Sequence, residues 1–452
     1  MTLIEETKAL APWTESLPAD WRATRLDAVA DVFFSNVDKH TIEGEQSVRL
    51  CNYVDVYKNE RITAALDFME ATADPREVEK FQIQRDDVLA TKDSEEPDDI
   101  AISSLVTEDL PGVLCGYHLA MIRPRFRNLH GPFIAWAHAS KQFRAQYEAK
   151  AVGVTRFGLS QYAFRAARIP LPSPPEQQRI AAYLDASCTA IDAAVTAKRR
   201  QLETLDALRK ETITRAITRG LCSDTQTKHS GEEWLGDIPV HWSAPCLKRL
   251  LREPLTYGLN EAAELEDRDL PRYLRITDFD DDGNLRENTF RSLPHEVARE
   301  ALLEPSDVLF ARSGATVGKT FIFRNYEGDA CFAGYLIRAR TLPWKLDPVF
   351  LYLFTKSTAY ENWKNLIFTQ ATIQNISAAK YNYLAIPLPP VDEQRAIIAY
   401  IEEKNAEFRS LITCIETQIA TLTAYRKSLI HECVTGQRRI AEADLNQVKA
   451  HG

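Results

Sequence analysis

The sequence has 452 residues and a net charge of −9, with 45% hydrophobic and 26% charged residues, which is ordinary for folded domains and long enough for two to four of them. The eight cysteines are scattered without a Cys-x-x-Cys pair, which argues against a disulfide framework or a zinc site. We find no apolar run of membrane-spanning length and no signal-peptide pattern, so we expect a cytoplasmic protein without a membrane partner.

The acidic net charge hides an alternation along the chain. Residues 60–109 carry 15 acidic and 5 basic residues, whereas 121–168 carry 9 basic and 1 acidic. The second half repeats this order, with 14 acidic and 6 basic residues in 261–307 and 9 basic and 4 acidic in 310–384. A basic run is often only a solvated surface. The same order in both halves instead favours two surfaces suited to phosphate binding.

The first half predicts an N-terminal leader at 1–16 and a mixed α/β domain at 17–171. Within this domain we expect strands at Val48–Val56 and Leu119–Ile122. We expect helices at Asp74–Phe81 and Phe133–Tyr147. This mixture of strands and helices indicates an α/β fold.

A long helix is predicted for 172–220, which opens as PSPPEQQRIAAYLD. Prolines hold the preceding segment extended, and Glu176 suits the first turn of a helix. Apolar residues then recur at spacings of three and four over five heptads, which is typical of a coiled coil. About 45 helical residues span roughly 65–70 Å. For one copy alone, an ordinary amphipathic core helix explains the pattern equally well.

The chain then repeats this segment, with IPLPPVDEQRAIIAYIE beginning at Ile386. A shift of 217 residues superposes Glu176 on Glu393 and Arg209 on Arg426 without a gap. The globular halves share the repeat, because LPADW and IPVHW place Trp21 and Trp242 at their starts. A repeat of this length decides the architecture. We predict a linker at 221–237, a second α/β domain at 238–388, a helix at 389–437 and a charged, frayed tail at 438–452.

These segments resemble the specificity subunit of type I restriction–modification systems. The resemblance rests on the paired PLPxxxEQ-helix segments, on TKDSEEPDDIA followed by CGYHLAMIRP, and on ARSGATVGK followed by AGYLIRAR. It covers about Leu17 to Gln437. The fold it implies has two α/β target-recognition domains separated by two long antiparallel coiled-coil helices, with an internal pseudo-twofold repeat.

The function that the resemblance implies is recognition of double-stranded DNA. Each domain would read one half of a bipartite, asymmetric target, and the helices would set the spacing between the halves. Two modification subunits would bind S-adenosylmethionine and methylate adenine N6, and restriction subunits would use ATP and Mg. This chain would carry no cofactor and no catalysis of its own.

Catalytic motifs are not found in the sequence. It has no GxGxxG, no HExxH and no Asn/Asp-Pro-Pro-aromatic tetrapeptide. Gly314–Thr320 imitates a phosphate-binding loop, but it has three residues between its glycines where four are needed. Glu402-x-Lys404 imitates a nuclease motif, but the first copy of the repeat lacks it. A non-catalytic subunit is therefore expected.

Three other interpretations stay open. The chain could be a free-standing enzyme, or a scaffold that does not bind DNA. It could also serve a related system in which methylation and cleavage are fused in one partner.

Candidate DNA-binding residues are polar or basic, because base edges and phosphates are contacted by such side chains. They are Lys92, Ser94, Arg123, Arg125, Arg127, Thr155, Arg156, Arg312, Ser313, Lys319, Arg338, Gln370, Thr372 and Gln374. The alternative for each is a surface charge or a turn residue. Tyr117 and Tyr335, which follow matched glycines, are expected in the core.

Candidate partner-binding residues are Glu176, Gln177, Glu393 and Gln394, at the starts of the two long helices. Together with the helix faces beyond them, they would dock the modification subunits. The alternative is an intramolecular cap.

Overall fold

The computed structural model describes residues 11–125, 129–280, 283, 285–314, 316–369 and 375–451. The chain folds into two units. Unit 1 consists of Met1–Arg199 together with Thr417–Gly452, and unit 2 consists of Arg200–Glu416.

The first half of the chain is rich in short strands. Its strands are β1 Arg22–Arg25, β2 Ala30–Phe34, β3 Gln46–Cys51, β4 Arg61–Ile62, β5 Met69–Ala73, β6 Val88–Thr91, β7 Asp93–Ser94, β8 Ser103–Val106, β9 Val113–Cys115, β10 Leu119–Pro124, β11 Val152–Gly153, β12 Phe157–Gly158 and β13 Arg168–Leu171. Its helices are α1 Tyr53–Lys58, α2 Pro75–Phe81, α3 Gly131–Ala139, α4 Lys141–Glu148, α5 Gln161–Arg165 and the long α6 Pro174–Arg219.

The second half follows the same plan with fewer strands among the described residues. The strands are β14 Thr227–His229, β15 Asp237–Pro239, β16 Thr256–Tyr257, β17 Arg272–Leu274, β18 Val308–Ala311, β19 Thr320–Ile322, β20 Ala330–Phe332 and β21 Leu336–Ala339. The helices are α7 His295–Ala298, α8 Pro348–Phe354, α9 Thr358–Thr369, α10 Ala378–Asn382, the long α11 Val391–Val434 and α12 Glu442–His451.

Unit 1 is built on a five-stranded sheet in the order β2-β10-β6-β8-β4, beside a three-stranded sheet in the order β5-β3-β9. Strand β6 is buried along its whole length. Because successive side chains point to opposite faces of a strand, Val88 and Ala90 enter one apolar core and Leu89 enters another. The sheet is therefore packed on both faces.

Unit 2 repeats this arrangement with the order β16-β21-β18-β19. Strand β18 sends Val308 and Phe310 into one core and Leu309 into another, as β6 does. The parallel pair β3 and β9 has its counterpart in the parallel pair β17 and β20. The sequence repeat is thus a repeat of the fold, and the predicted α/β class is confirmed.

The two long helices have 46 and 44 residues, close to the predicted 45. In unit 1, Arg426 of α11 forms an ion pair with Asp192 of α6, with 3.0 Å between Nε and Oδ1. In unit 2, Arg209 Nε donates to Asn405 Oδ1 at 2.8 Å. A second contact fixes the direction in each unit, because Arg438 lies over the ring of Tyr183 in unit 1 and Gly220 lies beside Glu393 in unit 2. Residue numbers rise on one helix as they fall on the other, so the helices run antiparallel within each unit.

A tryptophan anchors the start of a long helix in each unit. Trp21 Nε1 donates to Glu176 Oε2 at 3.0 Å in unit 1. Trp242 Nε1 donates to Glu393 Oε2 at 3.1 Å in unit 2. A carboxylate in the first turn also complements the helix dipole. Each glutamate therefore stabilises its helix start both through the hydrogen bond and through its charge.

A glycine ends each long helix beside the tryptophan of the same unit. Gly220 follows α6 with a φ of 76° and lies against Trp242. Gly436 follows α11 with a φ of 73° and lies against Trp21. A left-handed residue is the common way to end a helix, and glycine adopts it without steric cost. In each unit one long helix therefore begins where the other ends.

The described parts of two segments near the ends of the sequence pack on unit 1. The tail was expected to fray, yet it forms α12, and Ile440 is buried in unit 1. Arg439 holds this segment through ion pairs with Asp20 and Glu176. Within the expected leader, Trp13 is buried against Phe143. Apolar anchors thus fix both segments to the core.

Local capping changes two predicted elements. The expected strand Val48–Val56 ends at Cys51, because Asn52 and Asp55 form a capping box that starts α1. The expected helix Phe133–Tyr147 is two helices, α3 and α4, which meet at Ser140 in an extended conformation.

One described helix, α6, is long and apolar enough to cross a membrane by length and composition alone, although no such run was expected. Its apolar residues Ile180, Leu184 and Ile191 lie in the core of unit 1. Its Asp185 pairs with Arg61. A helix in the core of a globular unit can have the same length and composition.

Candidate nucleic-acid interface

In each unit, a basic residue follows an interior strand of the main sheet, at the same structural position. Lys92 follows β6, and its carbonyl oxygen accepts from the amide of Leu159 at 2.8 Å. Arg312 follows β18, and its carbonyl oxygen accepts from the amide of Ile376 at 2.9 Å. Leu159 and Ile376 are 217 residues apart, so each bond joins the strand to the segment that leads into a long helix.

Both cations lie over aromatic rings at matching strand ends. Lys92 Nζ is 5.1 Å from the ring centroid of Phe34, at the end of β2. The Arg312 guanidinium is 4.7 Å from the ring centroid of Tyr257, at the end of β16. Cation–π contacts hold a long side chain in place. Burial lowers the pKa of Lys92.

Tyr117 and Tyr335 are exposed, which corrects the expectation that they lie in the core. Their exposed fractions are 49% and 65%. Lys92 Nζ is 4.3 Å from the ring centroid of Tyr117. Both tyrosines follow a glycine in the turn that leads into β10 or β21, at the end of an interior strand of the sheet. An aromatic ring at such an edge is available to a nucleic acid base or sugar.

A projecting hairpin lies next to Lys92 in unit 1. Strands β11 and β12 form its two sides, and β12 pairs with β7, so that Phe157 is opposite Ser94. Thr155 and Arg156, both predicted to contact DNA, lie on this hairpin and are exposed. Ser94 is buried, and its hydroxyl accepts from the amide of Glu96, which is a structural role.

Unit 2 has a glycine-rich hairpin beside Arg312. Residues 312–319 connect the antiparallel strands β18 and β19, whereas a phosphate-binding loop connects a strand to a helix. Ser313 forms an isolated bridge with Asn375, and Lys319 is exposed. Nucleotide binding of that kind is not supported by this geometry.

Arg123 and Arg338 are held inside their units. The Arg123 guanidinium donates to both carboxylate oxygens of Asp87, at 2.8 and 2.7 Å. This bond raises the pKa of Arg123. Arg338 donates from Nη1 to the carbonyl of Leu302 at 2.7 Å, and burial lowers its pKa. Both contacts are structural. Direct DNA contact by either arginine stays a prediction.

Sequence reasoning missed Arg340, the counterpart of Arg123 at an offset of 217. Arg340 donates to both carboxylate oxygens of Asp307, again at 2.8 and 2.7 Å. The signal is present in the sequence, because Asp87-Val-Leu in the first half is repeated as Asp307-Val-Leu in the second. Arg125 is half exposed and pairs with Asp31 at 2.8 Å, which leaves it at the surface.

Four of the predicted DNA-binding residues, Arg127, Gln370, Thr372 and Gln374, lie outside the described residues.

The four predicted partner-binding residues make internal contacts. Gln177 is fully buried and its amide bonds with His130 N and the carbonyl of Pro172. Gln394 is also fully buried and bonds in the same way with Asp347 N and Pro389. Glu176 and Glu393 accept from the tryptophans described above. These contacts favour the intramolecular cap. Docking of a partner by these residues stays a prediction, with the exposed helix faces beyond them.

Known sequences resemble this chain on both sides of the repeat. Residues 287–420 match the family model described as the type I restriction modification DNA specificity domain. The chain is 21% identical over 309 residues to the EcoBI specificity subunit of Escherichia coli, and 22% identical over 331 residues to the StySPI specificity subunit of Salmonella potsdam. The two alignments cover 66% and 72% of this chain, but 64% and 68% of the relatives. The matched part therefore spans about two thirds of either relative.

Solved structures with the same fold cover most of the chain. A chain from a study of complex assembly and conformational transition of the type I R-M system superposes with a TM-score of 0.74. It covers 92% of this chain and 98% of its own length, at 19% identity. The HsdS subunit from Thermoanaerobacter tengcongensis gives a TM-score of 0.56 over 93% of this chain and 98% of its own, also at 19% identity. At this identity the likeness shows the fold.

Proposed function

Because the chain belongs to the family of type I restriction–modification specificity subunits, we propose that it is the DNA-recognition subunit of such a complex. Each unit would read one half of a bipartite, asymmetric target in double-stranded DNA. The catalytic steps would belong to partners, namely modification subunits that use S-adenosylmethionine to methylate adenine N6, and restriction subunits that use ATP and Mg. The complex would act in the cytoplasm.

The observation that carries this proposal is that the two units repeat the same sheet with a cation at the same position, but have different hairpins beside that cation. Lys92 and Arg312 occupy the same place, each over an aromatic ring and beside an exposed tyrosine. The hairpins next to them differ in sequence and length. Two units with the same sheet and different hairpins suit a target whose two halves differ in sequence. Bases are distinguished by the side chains that contact them in the groove.

Methylation sequencing tests the proposal. The chain is co-expressed with its neighbouring modification gene in an unmethylated host, and N6-methyladenine is mapped by single-molecule sequencing. We expect one two-part motif with a fixed gap. Methylation at one short continuous motif would contradict the two-unit reading. No methylation, with a folded partner present, would favour a scaffold that does not bind DNA.

The long helices should set the gap between the two half-sites. Inserting or deleting one helical turn within Asp192–Glu211 should change the number of unspecified bases and leave the half-site bases unchanged. If the gap stays constant while methylation persists, the helices do not determine the spacing.

A further inference from the structure

The hairpin of unit 1 presents an arginine that a carboxylate holds in place. Arg156 Nη2 donates to Asp93 Oδ1 at 2.5 Å, and His118 Nδ1 lies 2.7 Å from Asp93 Oδ2. The Arg156 side chain is 58% exposed, whereas that of Asp93 is 15% exposed. The carboxylate is therefore an inner support, and the guanidinium is the outer group.

The backbone around Arg156 is also fixed. Gly158 of β12 pairs with Asp93 of β7, so the hairpin is joined to the strand that carries its supporting carboxylate. At Gly153 a Cβ would collide with the carbonyl oxygen of Arg156, so the tight closure requires glycine there. An arginine held before binding loses less side-chain entropy on binding.

The charges around the hairpin disfavour a phosphate as the ligand of Arg156. The exposed carboxylates of Glu95, Glu96 and Asp98 follow β7 directly. They would repel a DNA backbone, whereas an uncharged base edge meets no such repulsion. Next to Arg156 the hairpin also exposes the apolar side chain of Val154, at 92%. Val152, on the same hairpin, is 78% exposed. Such apolar side chains contribute nothing to phosphate binding, but they can contact a thymine methyl group.

The free edge of the guanidinium fits one base. Among the described residues, the hydrogen bonds of Arg156 use Nη2 alone. With His118 Nδ1 donating to Asp93, the second Nη2 hydrogen is left to form a two-donor edge with Nη1 or Nε. Guanine presents two acceptors, O6 and N7, in the major groove, and a guanidinium can donate to both. The hydrogen bond that Arg156 donates to Asp93 also raises the pKa of Arg156, which keeps the donor charged.

We propose that Arg156 reads a guanine in the half-site bound by unit 1, and that Asp93 is the positioning residue that orients it. This inference rests on the proposed function. It goes further in naming the base, the residue and the half-site.

Substitutions in the complete complex test the inference, with methylation sequencing as the measurement. Arg156→Gln should reduce the preference for one guanine in one half-site by about tenfold, the usual worth of a bidentate contact. The other half-site and the gap should not change. Arg156→Lys keeps the charge but not the fork, so it should not restore the preference.

Asp93→Asn should reduce the same preference by a smaller factor, because Arg156 is kept but less firmly oriented. Asp93→Glu should restore part of it. Arg25→Gln is the matched control, since Arg25 is a partly exposed arginine of unit 1 that also pairs with an aspartate, Asp27. This control should leave the motif unchanged.

Three results would overturn the inference. The motif could be unchanged in Arg156→Gln, methylation could fall equally at all sites, or Arg156→Lys could restore the wild-type preference, as a phosphate contact would. An unchanged motif in Asp93→Asn would remove the positioning role. Failure of the proposed function looks different, because the wild-type complex would then give no bipartite motif.

Discussion

The structures of the two units agree most closely at a buried ion pair in the sheet, and differ most in the exposed hairpins beside Lys92 and Arg312. Asp87 and Arg123 in unit 1 are matched by Asp307 and Arg340 in unit 2, with the same two distances. Each aspartate also accepts from the amide three residues before it. The residues repeated with the same geometry stabilise the sheet in both units. The residues that differ between the units can therefore determine the DNA sequence that each unit recognises.

The agreement is not complete within the cores. Helices α3 and α8 begin 217 residues apart and pack in equivalent places. At the same offset, His138 of unit 1 corresponds to Thr355 of unit 2. His138 bonds with Tyr147, whereas Thr355 bonds with Thr320 and the carbonyl of Tyr352. Only the first of these side chains can bind a proton in the acid range.

The largest expected effect comes from breaking the shared ion pair. Asp87→Ala should destabilise unit 1 by about 3 kcal/mol, because it leaves Arg123 without its buried partner. Asp307→Ala should cost about 1 kcal/mol less, since Arg340 keeps Glu253 and Glu304 within 3.0 Å. Hydrogen–deuterium exchange in β6 and β18 measures the two losses separately.

A double variant serves as the control for this comparison. Asp87→Ala with Arg123→Met should recover part of the loss, because no charge is then left unpaired. Equal losses in the two single variants would show that the additional carboxylates around Arg340 do not stabilise it.

Acid should affect unit 1 through His138. Burial lowers its pKa from 6.5 to about 4. As the pH falls through 6.5 the unfolded chain binds the proton first, so the stability of the folded unit decreases until the pH reaches about 4. At pH 5 the loss should be roughly 2 kcal/mol relative to pH 8.

His138→Gln should remove this part of the pH dependence. Urea denaturation of both proteins at pH 8 and pH 5 provides the comparison, and exchange in α8 reports on unit 2, where Thr355 does not titrate. The assignment fails if the difference between the two pH values is the same in the variant.

The smallest expected effect concerns the two matched cations. Lys92→Ala and Arg312→Ala should each weaken DNA binding by the complete complex by about 1 kcal/mol, or fivefold. If both contact phosphate, each variant should lower the slope of log affinity against log salt by about 1. Fluorescence anisotropy at several salt concentrations measures this. A change in only one slope would separate the roles of the two units.

The long helices could be predicted from the sequence because their signal is long and is repeated without a gap. The strands gave a weaker signal, since several have only two or three residues, too few for a periodic pattern. The helix α1 was missed because the capping box of Asn52 and Asp55 interrupts a run of strand-forming residues.

The candidate site was harder to predict because the role of each residue depends on contacts with residues that are distant in sequence. Arg123 has the charge expected of a DNA contact, but its partner Asp87 is 36 residues away. Tyr117 and Tyr335 follow matched glycines, which suggested the core, but each lies in an exposed turn before its strand. Arg156 was chosen for its charge alone. Its support by Asp93 depends on the pairing of β7 with β12.

The division of the chain between the units has a consequence for its synthesis. Unit 2 is continuous, so it can fold as soon as residue 416 has left the ribosome. The core of unit 1 needs Leu429, Ile430 and Val434, which are made after all of unit 2. At about 5–20 residues per second, the first part of unit 1 waits roughly 10–50 s for them. During that time the apolar side chains of Ile180 and Leu184 lack the core partners that α11 supplies, so they stay uncovered until unit 2 has been made.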